Sequence, residues 1–246
     1  MKITIITGGS RGIGRSAAVH CAGRGDAVIL TYNSYPNGAS EVVREIESAG
    51  GKAVALKLDV GDIASIPAFK DAVRDAVTAW GGIDFDHLVN NAGYGLFNPI
   101  ATTTEAQFDG LFAVHLKGPF FLTQALLPLM ADGGHIVNVV SATTRVATPG
   151  VAPYAAFKGG LEVLTRYMAQ EFGARDIRAN AVSPGAIRTD LGGGLSDELE
   201  HLLAGQTALG RVGEPDDVGR MIASLLSEDN AWINAQTIEV AGGYRL

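Results

Sequence analysis

The sequence has little cysteine, little charge and few aromatic side chains. Its 246 residues include a single cysteine, Cys21, so no disulfide can form within the chain. A lone thiol suits a reducing compartment, and we expect a cytoplasmic protein. Cys21 falls within the apolar pattern of a predicted helix, which favours the role of a small buried side chain.

Positive charge is scarce as well. The chain carries 19 Lys and Arg residues against 26 Asp and Glu, a formal net charge of −7. Nucleic acids and anionic lipids are bound by basic surfaces, so we expect neither nucleic acid nor a membrane as a partner. The longest apolar stretch, 111–130, is interrupted by His115, Lys117 and two prolines, which argues against a membrane span. We expect no signal peptide, because the apolar run after Lys2 is too short.

Hydrophobic residues make up 47% of the chain, in short runs that alternate with helical patterns. This length suits a full core, and we predict a single α/β domain over 1–246. The runs lack polar alternation, which is typical of parallel strands covered on both faces. We predict strands at 3–7, 27–31, 53–58, 87–90, 135–141, 178–183 and 237–241. We predict helices at 13–24, 39–49, 63–80, 105–130, 154–172 and 215–226, and a short polar helical segment at 196–203.

Gly8, Gly12 and Gly14 follow the first predicted strand and open the first helix, in the segment Thr7-Gly-Gly-Ser-Arg-Gly-Ile-Gly14. Glycines let the backbone turn tightly and approach a pyrophosphate at a helix N-terminus. A glycine turn without a ligand fits the motif equally well, but its position directly after a strand favours a nucleotide site. Asp59 and the segment Asn90-Asn-Ala-Gly93 end the third and fourth predicted strands, at the sheet edge where ligands bind in such folds.

A tyrosine, a lysine and a serine have the spacing of a catalytic group. Tyr154 and Lys158 are four residues apart and share one helix face, and Ser141 ends the fifth predicted strand. A phenol has a pKa of about 10, and a neighbouring ammonium would lower it. Tyr154 would be the general acid in reduction and the general base in oxidation, and Ser141 would hold the substrate oxygen. Each residue alone could be an ordinary surface group, but their joint spacing argues against that.

Together with Ser183-Pro-Gly-Ala-Ile-Arg-Thr189, these motifs resemble the short-chain dehydrogenase/reductase family along essentially the whole chain. The resemblance implies an α/β, Rossmann-type, doubly wound parallel sheet of about seven strands with helices on both faces. It implies catalysis by Ser141, Tyr154 and Lys158 without a metal, and a nicotinamide cofactor. The residues that it implies for cofactor binding are Gly8, Ser10, Arg11, Gly12, Ile13, Gly14, Tyr32, Asn33, Ser34, Asp59, Val60, Asn91, Ala92, Gly93, Tyr154, Lys158, Pro184, Gly185, Ile187 and Thr189.

The end of the second predicted strand distinguishes the two nicotinamide cofactors. A carboxylate there usually holds the ribose 2′-OH of NAD and would repel a 2′-phosphate. This chain reads Thr31-Tyr-Asn-Ser34, without a carboxylate. Arg11 in the glycine loop can pair with a phosphate, and Asn33 and Ser34 can donate hydrogen bonds. We therefore predict NADP(H); the alternative for Arg11 is an exposed solubilising side chain.

One residue departs from the family pattern. The family usually has asparagine in the long central helix, where it supports a local irregularity and a water linked to the catalytic lysine, whereas this chain has His115 in Val114-His-Leu-Lys-Gly118. A neutral histidine offers one donor and one acceptor, so it can substitute; it is also bulkier and can become charged. A tolerated packing variant, an altered proton relay and a weakened enzyme all remain open.

Mostly apolar residues flank the predicted catalytic group, and they indicate a ketone or alcohol substrate with a hydrophobic body. They are Tyr94, Leu96, Val146, Ala147, Val151 and Leu191. The segment Gly192-Gly-Gly194 is interpreted as a mobile flap over this pocket or as a plain surface loop.

The chain looks most similar to β-ketoacyl-carrier-protein reductases, which dock an acidic carrier on basic residues near two helix ends. Arg175 matches one such position, but the other falls in Met130-Ala-Asp-Gly-Gly-His135, which has no Arg or Lys. We therefore favour NADPH-dependent reduction of a free ketone or keto ester. The alternatives are a carrier- or CoA-thioester reductase and a non-catalytic NADP-binding sensor. The resemblance also implies a homotetramer that buries the helices 105–130 and 154–172, with 237–246 near another interface.

Overall fold

The chain forms one parallel sheet, described by a computed structural model of residues 1–246. Its strands are β1 Ile3–Ile6, β2 Ala27–Tyr32, β3 Lys52–Lys57, β4 Phe85–Asn90, β5 Met130–Val139, β6 Arg178–Pro184 and β7 Thr237–Val240. Their order is β3-β2-β1-β4-β5-β6-β7, and every neighbouring pair is parallel. The predicted seven-stranded parallel sheet is confirmed.

Helices cover both faces of this sheet, as predicted. They are α1 Gly12–Gly23, α2 Pro36–Ser48, α3 Ile66–Ala79, α4 Glu105–Phe112, α5 Gly118–Leu126, α6 Ala152–Glu171, α7 Asp197–Gly205 and α8 Pro215–Leu225. One buried core lies between the sheet and α1, α2 and α8, and a second lies between the sheet and α3, α5 and α6. No helix has both the length and the apolar character needed to cross a membrane.

The strand order reverses between β1 and β4, and this reversal determines where a ligand crevice can form. Successive strands run outward from β1 to β3 on one side and from β4 to β7 on the other. The connections that leave the carboxyl ends of β1 and β4 therefore diverge to opposite sides of the sheet. That divergence opens a crevice at the carboxyl edge, where ligands bind in open α/β sheets.

The helix predicted at 105–130 is interrupted in its middle. A π-helical turn, Ala113–Lys117, separates α4 from α5, and the Gly118 backbone N–H donates to the Ala113 carbonyl. Pro119 explains the break, because proline has no N–H for the carbonyl four residues earlier and its ring collides with that carbonyl. Gly118 allows the close approach that results, since a Cβ there would lie 2.3 Å from the Val60 carbonyl oxygen. The irregular turn puts His115 inside the molecule.

The same prediction was wrong at its C-terminal end. After α5 the chain makes a short 3-10 turn, Leu127–Leu129, and β5 begins at Met130 rather than at 135. Met130 is 2% exposed and pairs with Phe85, with a register irregularity before the next pair. This part of the strand was not predicted because it contains two glycines, at 133 and 134. Glycine is unfavourable in a strand interior and often marks a bulge.

Candidate active site

A cavity of about 800 Å³ opens at the carboxyl edge of the sheet beside β1 and β4. Its wall includes the glycine loop before α1, the ends of the central strands, the π-helical turn, the start of α6 and the segment after β6. Ser141, Tyr154 and Lys158 all line it, and so do all the residues predicted for cofactor binding except Tyr32. The structure therefore brings nearly the whole predicted set into one cavity.

Tyr32 lies outside the cavity for a geometric reason. Side chains alternate between the two faces of a strand, and the Tyr32 side chain packs with the core beneath α1 and α2. Its neighbour Thr31 faces the cavity instead, and the Thr31 hydroxyl accepts a hydrogen bond of 3.1 Å from the Gly8 backbone N–H. The predicted cofactor role fits Thr31 better than Tyr32.

The glycine loop adopts a conformation that requires its glycines. Gly8 and Gly12 have positive φ angles of 66° and 55°, a region that side chains disfavour. A Cβ on Gly14 would lie 2.2 Å from the Gly8 carbonyl oxygen, so only glycine fits there. The Asn91 side-chain amide donates to the Thr7 and Gly8 carbonyls at 2.9 and 3.2 Å and fixes the loop against the end of β4.

The N-terminus of α1 has the features of a phosphate site. Its first N–H groups have no helical partner, and no side chain caps them. Gly12, Ile13 and Gly14 of this first turn line the cavity, and the partial positive charge of the helix N-terminus favours an anion there. The Thr189 methyl group lies 3.3 Å from the position of a Cβ on Gly12, so the Ser183–Thr189 motif forms the opposite wall. These residues fit the pyrophosphate of a dinucleotide.

The corner of the cavity beyond β2 is free of carboxylates close to the strand. Asn33, Ser34 and Tyr35 line it. Tyr35 packs against Gly38, where a Cβ would lie 2.1 Å from the tyrosine ring, so this aromatic wall depends on a glycine at 38. Arg11 is exposed, and its guanidinium lies 3.8 Å from the Asp190 carboxylate. That pair is weak and exposed, so Arg11 remains available to a phosphate.

Lys158 is the most constrained member of the catalytic group. It is 4% exposed, and its Nζ donates a hydrogen bond of 2.7 Å to the Val139 carbonyl at the end of β5. Burial lowers the pKa of Lys158 to about 8, so the ammonium form still predominates at neutral pH. The Nζ lies 5.8 Å from the centre of the Tyr154 ring, close enough to share a small ligand with it.

The phenol and the serine are poised for proton donation. Burial raises the pKa of Tyr154, and the Ser141 hydroxyl only partly opposes this rise. The lowered pKa that the sequence predicted for Tyr154 is therefore wrong, because desolvation of the phenolate is the largest effect and raises the pKa. Ser141 Oγ accepts hydrogen bonds from the Thr143 backbone N–H at 3.2 Å and from the Thr143 hydroxyl at 2.9 Å. The serine hydrogen is thereby left to donate into the cavity.

His115 sits between two tyrosines beneath the catalytic group. It is 1% exposed, and its ring packs edge-on against Tyr154 with centres 4.9 Å apart. Its Nε2 lies 2.8 Å from the Tyr94 carbonyl, which can only accept, so Nε2 carries the proton. Nδ1 is then an acceptor, buried without a partner. Burial, and secondarily the charge on Lys158, lowers the pKa of His115 to about 3, so the ring is neutral.

The substrate side of the cavity differs in part from the sequence prediction. Tyr94, Leu96, Val151 and Leu191 line the cavity, whereas Val146 packs in a small apolar cluster and Ala147 faces outward. The turn that holds Ser141 points these two side chains away. The wall also contains residues that the sequence analysis missed: Phe97, Thr148, Leu195, Leu203 and Tyr244.

The glycine segment after β6 forms part of this wall. Gly192, Gly193 and Gly194 all have positive φ angles, and a Cβ on Gly192 would lie 2.8 Å from the Phe97 ring. The segment therefore meets the loop that follows β4 across the mouth of the cavity. Arg188 anchors it by hydrogen bonds to Glu200 at the start of α7 and to Glu214 before α8.

Comparison with known proteins agrees with this geometry. A family model described as "Enoyl-(Acyl carrier protein) reductase", of the short-chain dehydrogenase/reductase class, matches residues 8–245. An uncharacterized oxidoreductase of Methylorubrum extorquens is 38% identical, with 99% of this chain and 98% of that protein covered. A probable tetrahydroxynaphthalene reductase of Zymoseptoria tritici is 34% identical, with 98% and 93% covered.

A solved structure has the same fold in close detail. The angucycline C-6 ketoreductase LanV with bound NADP superimposes with a TM-score of 0.94 at 35% identity, covering 99% of this chain and 95% of LanV. A second structure, of the landomycin C-6 ketoreductase LanV, contains NADP and rabelomycin. The present chain belongs to the short-chain dehydrogenase/reductase family.

Proposed function

We propose that this chain is an NADPH-dependent oxidoreductase that reduces a ketone or keto ester to an alcohol in a reversible reaction. The observation that carries the proposal is the single cavity that joins the glycine loop to Ser141, Tyr154 and Lys158. A nucleotide site at one end and a proton donor at the other is what reduction of a carbonyl requires. NADP in LanV and the reductase name of the fungal relative support the same reading.

The chain's own residues bind, orient and protonate the substrate, while bound NADPH supplies the two reducing electrons as a hydride. The α1 N-terminus would hold the pyrophosphate, and the buried Lys158 ammonium would bind the nicotinamide ribose. Ser141 donates its free hydrogen to the substrate oxygen. Tyr154 keeps its proton, because burial raises its pKa, and delivers it to the same oxygen as negative charge develops there.

The substrate that fits this cavity is a free ketone with a large apolar body. The walls opposite the cofactor end are formed by aromatic and aliphatic side chains, including Tyr94, Phe97 and Leu203. Rabelomycin in a LanV structure and the hydroxynaphthalene reductase relatives favour aromatic ketones or their phenolic tautomers over short aliphatic ones.

A carrier-linked thioester reductase is the second candidate, favoured by the description of the matching family model. The structure weakens its docking argument. Arg175, the one basic residue at an expected carrier position, donates hydrogen bonds to the Leu127 and Met130 carbonyls and pairs with Asp132 at 2.7 Å. Arg175 thus binds carbonyl groups just after the end of α5, and the Asp132 carboxylate neutralises its charge. It therefore offers little attraction for an acidic carrier.

A panel of carbonyl compounds separates these functions. The purified chain is given NADPH with 2-tetralone, ethyl acetoacetate, acetoacetyl-CoA and an acetoacetyl-carrier protein, and NADPH oxidation is followed. Turnover of the free ketones supports the proposal. Turnover confined to the two thioesters supports the second candidate, and NADPH binding without any turnover supports a sensor.

The pH profile of ketone reduction tests the protonation states assigned to the site. We expect activity to fall as the pH rises through about 8, where Lys158 loses its ammonium. We expect no acid limb near pH 6.5, because His115 has a pKa of about 3 and stays neutral.

His115→Asn should keep or raise kcat and leave NADPH affinity unchanged.

A variant in α7 serves as the control for this histidine. His201 is exposed, and His201→Asn should match the wild type in every parameter. An acid limb near pH 6.5 that disappears only in His115→Asn would mean that His115 titrates in the reaction. If the His115→Asn protein folds and binds NADPH but no longer turns over the ketone, the reaction requires the histidine itself.

We also infer that the chain assembles as a homotetramer, with one subunit contact on the exposed face of α5 and α6 and another near 237–246. An apolar groove of about 410 Å³ lies there between the two helices, lined mainly by Phe112, Leu116, Phe120, Phe121, Val163, Leu164 and Tyr167. Phe120 is 42% exposed and Tyr167 is 62% exposed, although large aromatic side chains are usually buried. Contiguous apolar surfaces of this kind are typical of subunit contacts.

Light scattering after size-exclusion chromatography tests this assembly. We expect the wild type to elute with about four times the mass of its 25.6 kDa chain. Phe120→Glu together with Tyr167→Glu should yield smaller species, because charged side chains are costly in an apolar contact. Ile83→Glu, at an exposed position away from the groove, is the control and should leave the mass unchanged. A monomeric wild type would contradict the inference.

We further infer that 1–246 is one NADP-binding domain that works in the cytoplasm. One sheet supplies both ends of the cavity, and the only cysteine, Cys21, is buried with its pKa raised by burial. A single calorimetric unfolding transition that NADPH shifts as a whole supports one domain, whereas two independent transitions contradict it. Recovery in the membrane or extracellular fraction of cells would contradict the location.

A further inference from the structure

The last residues of the chain are hydrogen-bonded to the segment that follows α7. The Ala208 and Leu209 backbone N–H groups donate to the Gly243 and Gly242 carbonyls, each at 3.1 Å. The Arg245 N–H donates in return to the Gln206 carbonyl at 2.9 Å. Residues 242–245, the C-terminal tail, are therefore held beside the end of α7 rather than left free in solvent.

Arg145 ties the same tail to the turn that carries Ser141. Its Nε and one terminal nitrogen form a bidentate pair with the Glu239 carboxylate at 3.0 and 2.7 Å. Its terminal nitrogens also donate to the Tyr244 and Arg245 carbonyls, each at 2.8 Å. The bidentate pair with Glu239 of β7 orients the Arg145 guanidinium, and its two bonds to the carbonyls of the tail then fix the tail relative to the serine turn.

This position places Tyr244 against the reacting end of the cavity. Tyr244 is 7% exposed, lines the cavity, and packs in one apolar cluster with Ala142 and Val146. Ala142 directly follows Ser141, the residue that holds the substrate oxygen in the proposed function. The partly buried Leu203 of α7 joins the same cluster, so Tyr244 packs between the turn that carries Ser141 and α7.

We infer that Tyr244, held in place by Arg145, is a wall of the substrate pocket that limits the size of the ketone. The inference rests on the proposed function, because it assumes that a ketone oxygen is bound at Ser141. Arg145 is a positioning residue in this account: it touches the tail and not the substrate. The specificity of the pocket would thus be set partly by the extreme C-terminus of the chain.

The inference is tested with two ketones of different size, 2-tetralone and ethyl acetoacetate. We expect Tyr244→Ala to raise the ratio of kcat/KM for the large ketone to that for the small one by about 10-fold or more. Tyr244→Trp should lower that ratio, and Arg145→Ala should shift it in the same direction as Tyr244→Ala. The KM for NADPH should stay within about two-fold, because the tail lies away from the glycine loop.

Matched variants separate this role from general destabilisation. Leu246→Ala changes an exposed residue of the C-terminus, and Arg166→Ala removes an exposed arginine that pairs only with Glu162; neither should move the ratio. Tyr244→Leu replaces Tyr244→Ala if the latter does not fold. A ratio unchanged within two-fold in folded, NADPH-binding Tyr244 variants overturns the inference.

A measurement of ketone binding separates failure of this inference from failure of the proposed function. Calorimetry measures 2-tetralone binding to the enzyme with NADP⁺, which needs no turnover. Tighter binding by Tyr244→Ala than by Tyr244→Trp supports the inference even if the wild type reduces neither ketone, and equal binding overturns it.

Discussion

Tyr154→Phe is expected to lower kcat for ketone reduction by more than about 100-fold, since it removes a positioned general acid. Only the phenolic hydroxyl is lost, because the ring can keep its packing against His115. The affinity for NADPH should change little, since the glycine loop and Lys158 are untouched. Steady-state turnover of 2-tetralone and fluorescence titration of NADPH measure the two quantities separately.

The same helix offers a matched control. Tyr167 lies on α6 and is 62% exposed, so Tyr167→Phe should leave kcat unchanged. Near-normal turnover in a folded Tyr154→Phe enzyme would show that another group protonates the product oxygen, and the assignment of the acid would be wrong.

A reversal of cofactor preference is the second large effect that we expect. The wild type should favour NADPH over NADH, and Arg11→Ala should reduce that preference by about 10- to 100-fold, the range for losing a hydrogen-bonded charged group. Asn33→Asp should reverse it, because a carboxylate repels the 2′-phosphate and can hold a 2′-OH. Both residues line the same corner of the cavity. The measurement is the ratio of kcat/KM for NADPH to that for NADH.

Arg15→Ala is the control for the arginine. Arg15 lies one turn further along α1 and pairs with Glu45 at 2.7 Å, outside the cavity. It should leave the cofactor ratio unchanged. A wild type that prefers NADH would refute the cofactor assignment, and a loss equal in Arg11→Ala and Arg15→Ala would show only a general effect of positive charge.

The sheet could be predicted from the sequence because local patterns determine it. Runs such as Val28-Ile-Leu30 are buried on both faces, so their apolar character is continuous and visible. The helix predicted at 105–130 shows where this fails. Its apolar pattern continues through the π-helical turn and the start of β5, and only Pro119 and Pro128 mark the changes. A periodic pattern does not show which backbone hydrogen bonds a proline removes.

The site could be predicted to the extent that its residues belong to contiguous motifs. Tyr154 and Lys158 lie one helical turn apart, and the glycine loop is a single segment. Tyr244 was missed because tertiary contacts alone bring it to the cavity: it comes from the end of the chain and is held by Arg145, about a hundred residues earlier. The lowered pKa predicted for Tyr154 was wrong, since the sign of the shift depends on burial, which spacing does not reveal.

The central claim is that this chain transfers a hydride from NADPH to a ketone and a proton to its oxygen. The most direct test uses NADPH deuterated at C4 of the nicotinamide with 2-tetralone, followed by mass spectrometry and NMR of the product. The account predicts one alcohol per NADPH oxidised, with deuterium from one face of the nicotinamide at the carbinol carbon and none exchanged with water. Oxidation of NADPH without the labelled alcohol, or no oxidation of NADPH with any carbonyl of the panel, would contradict it.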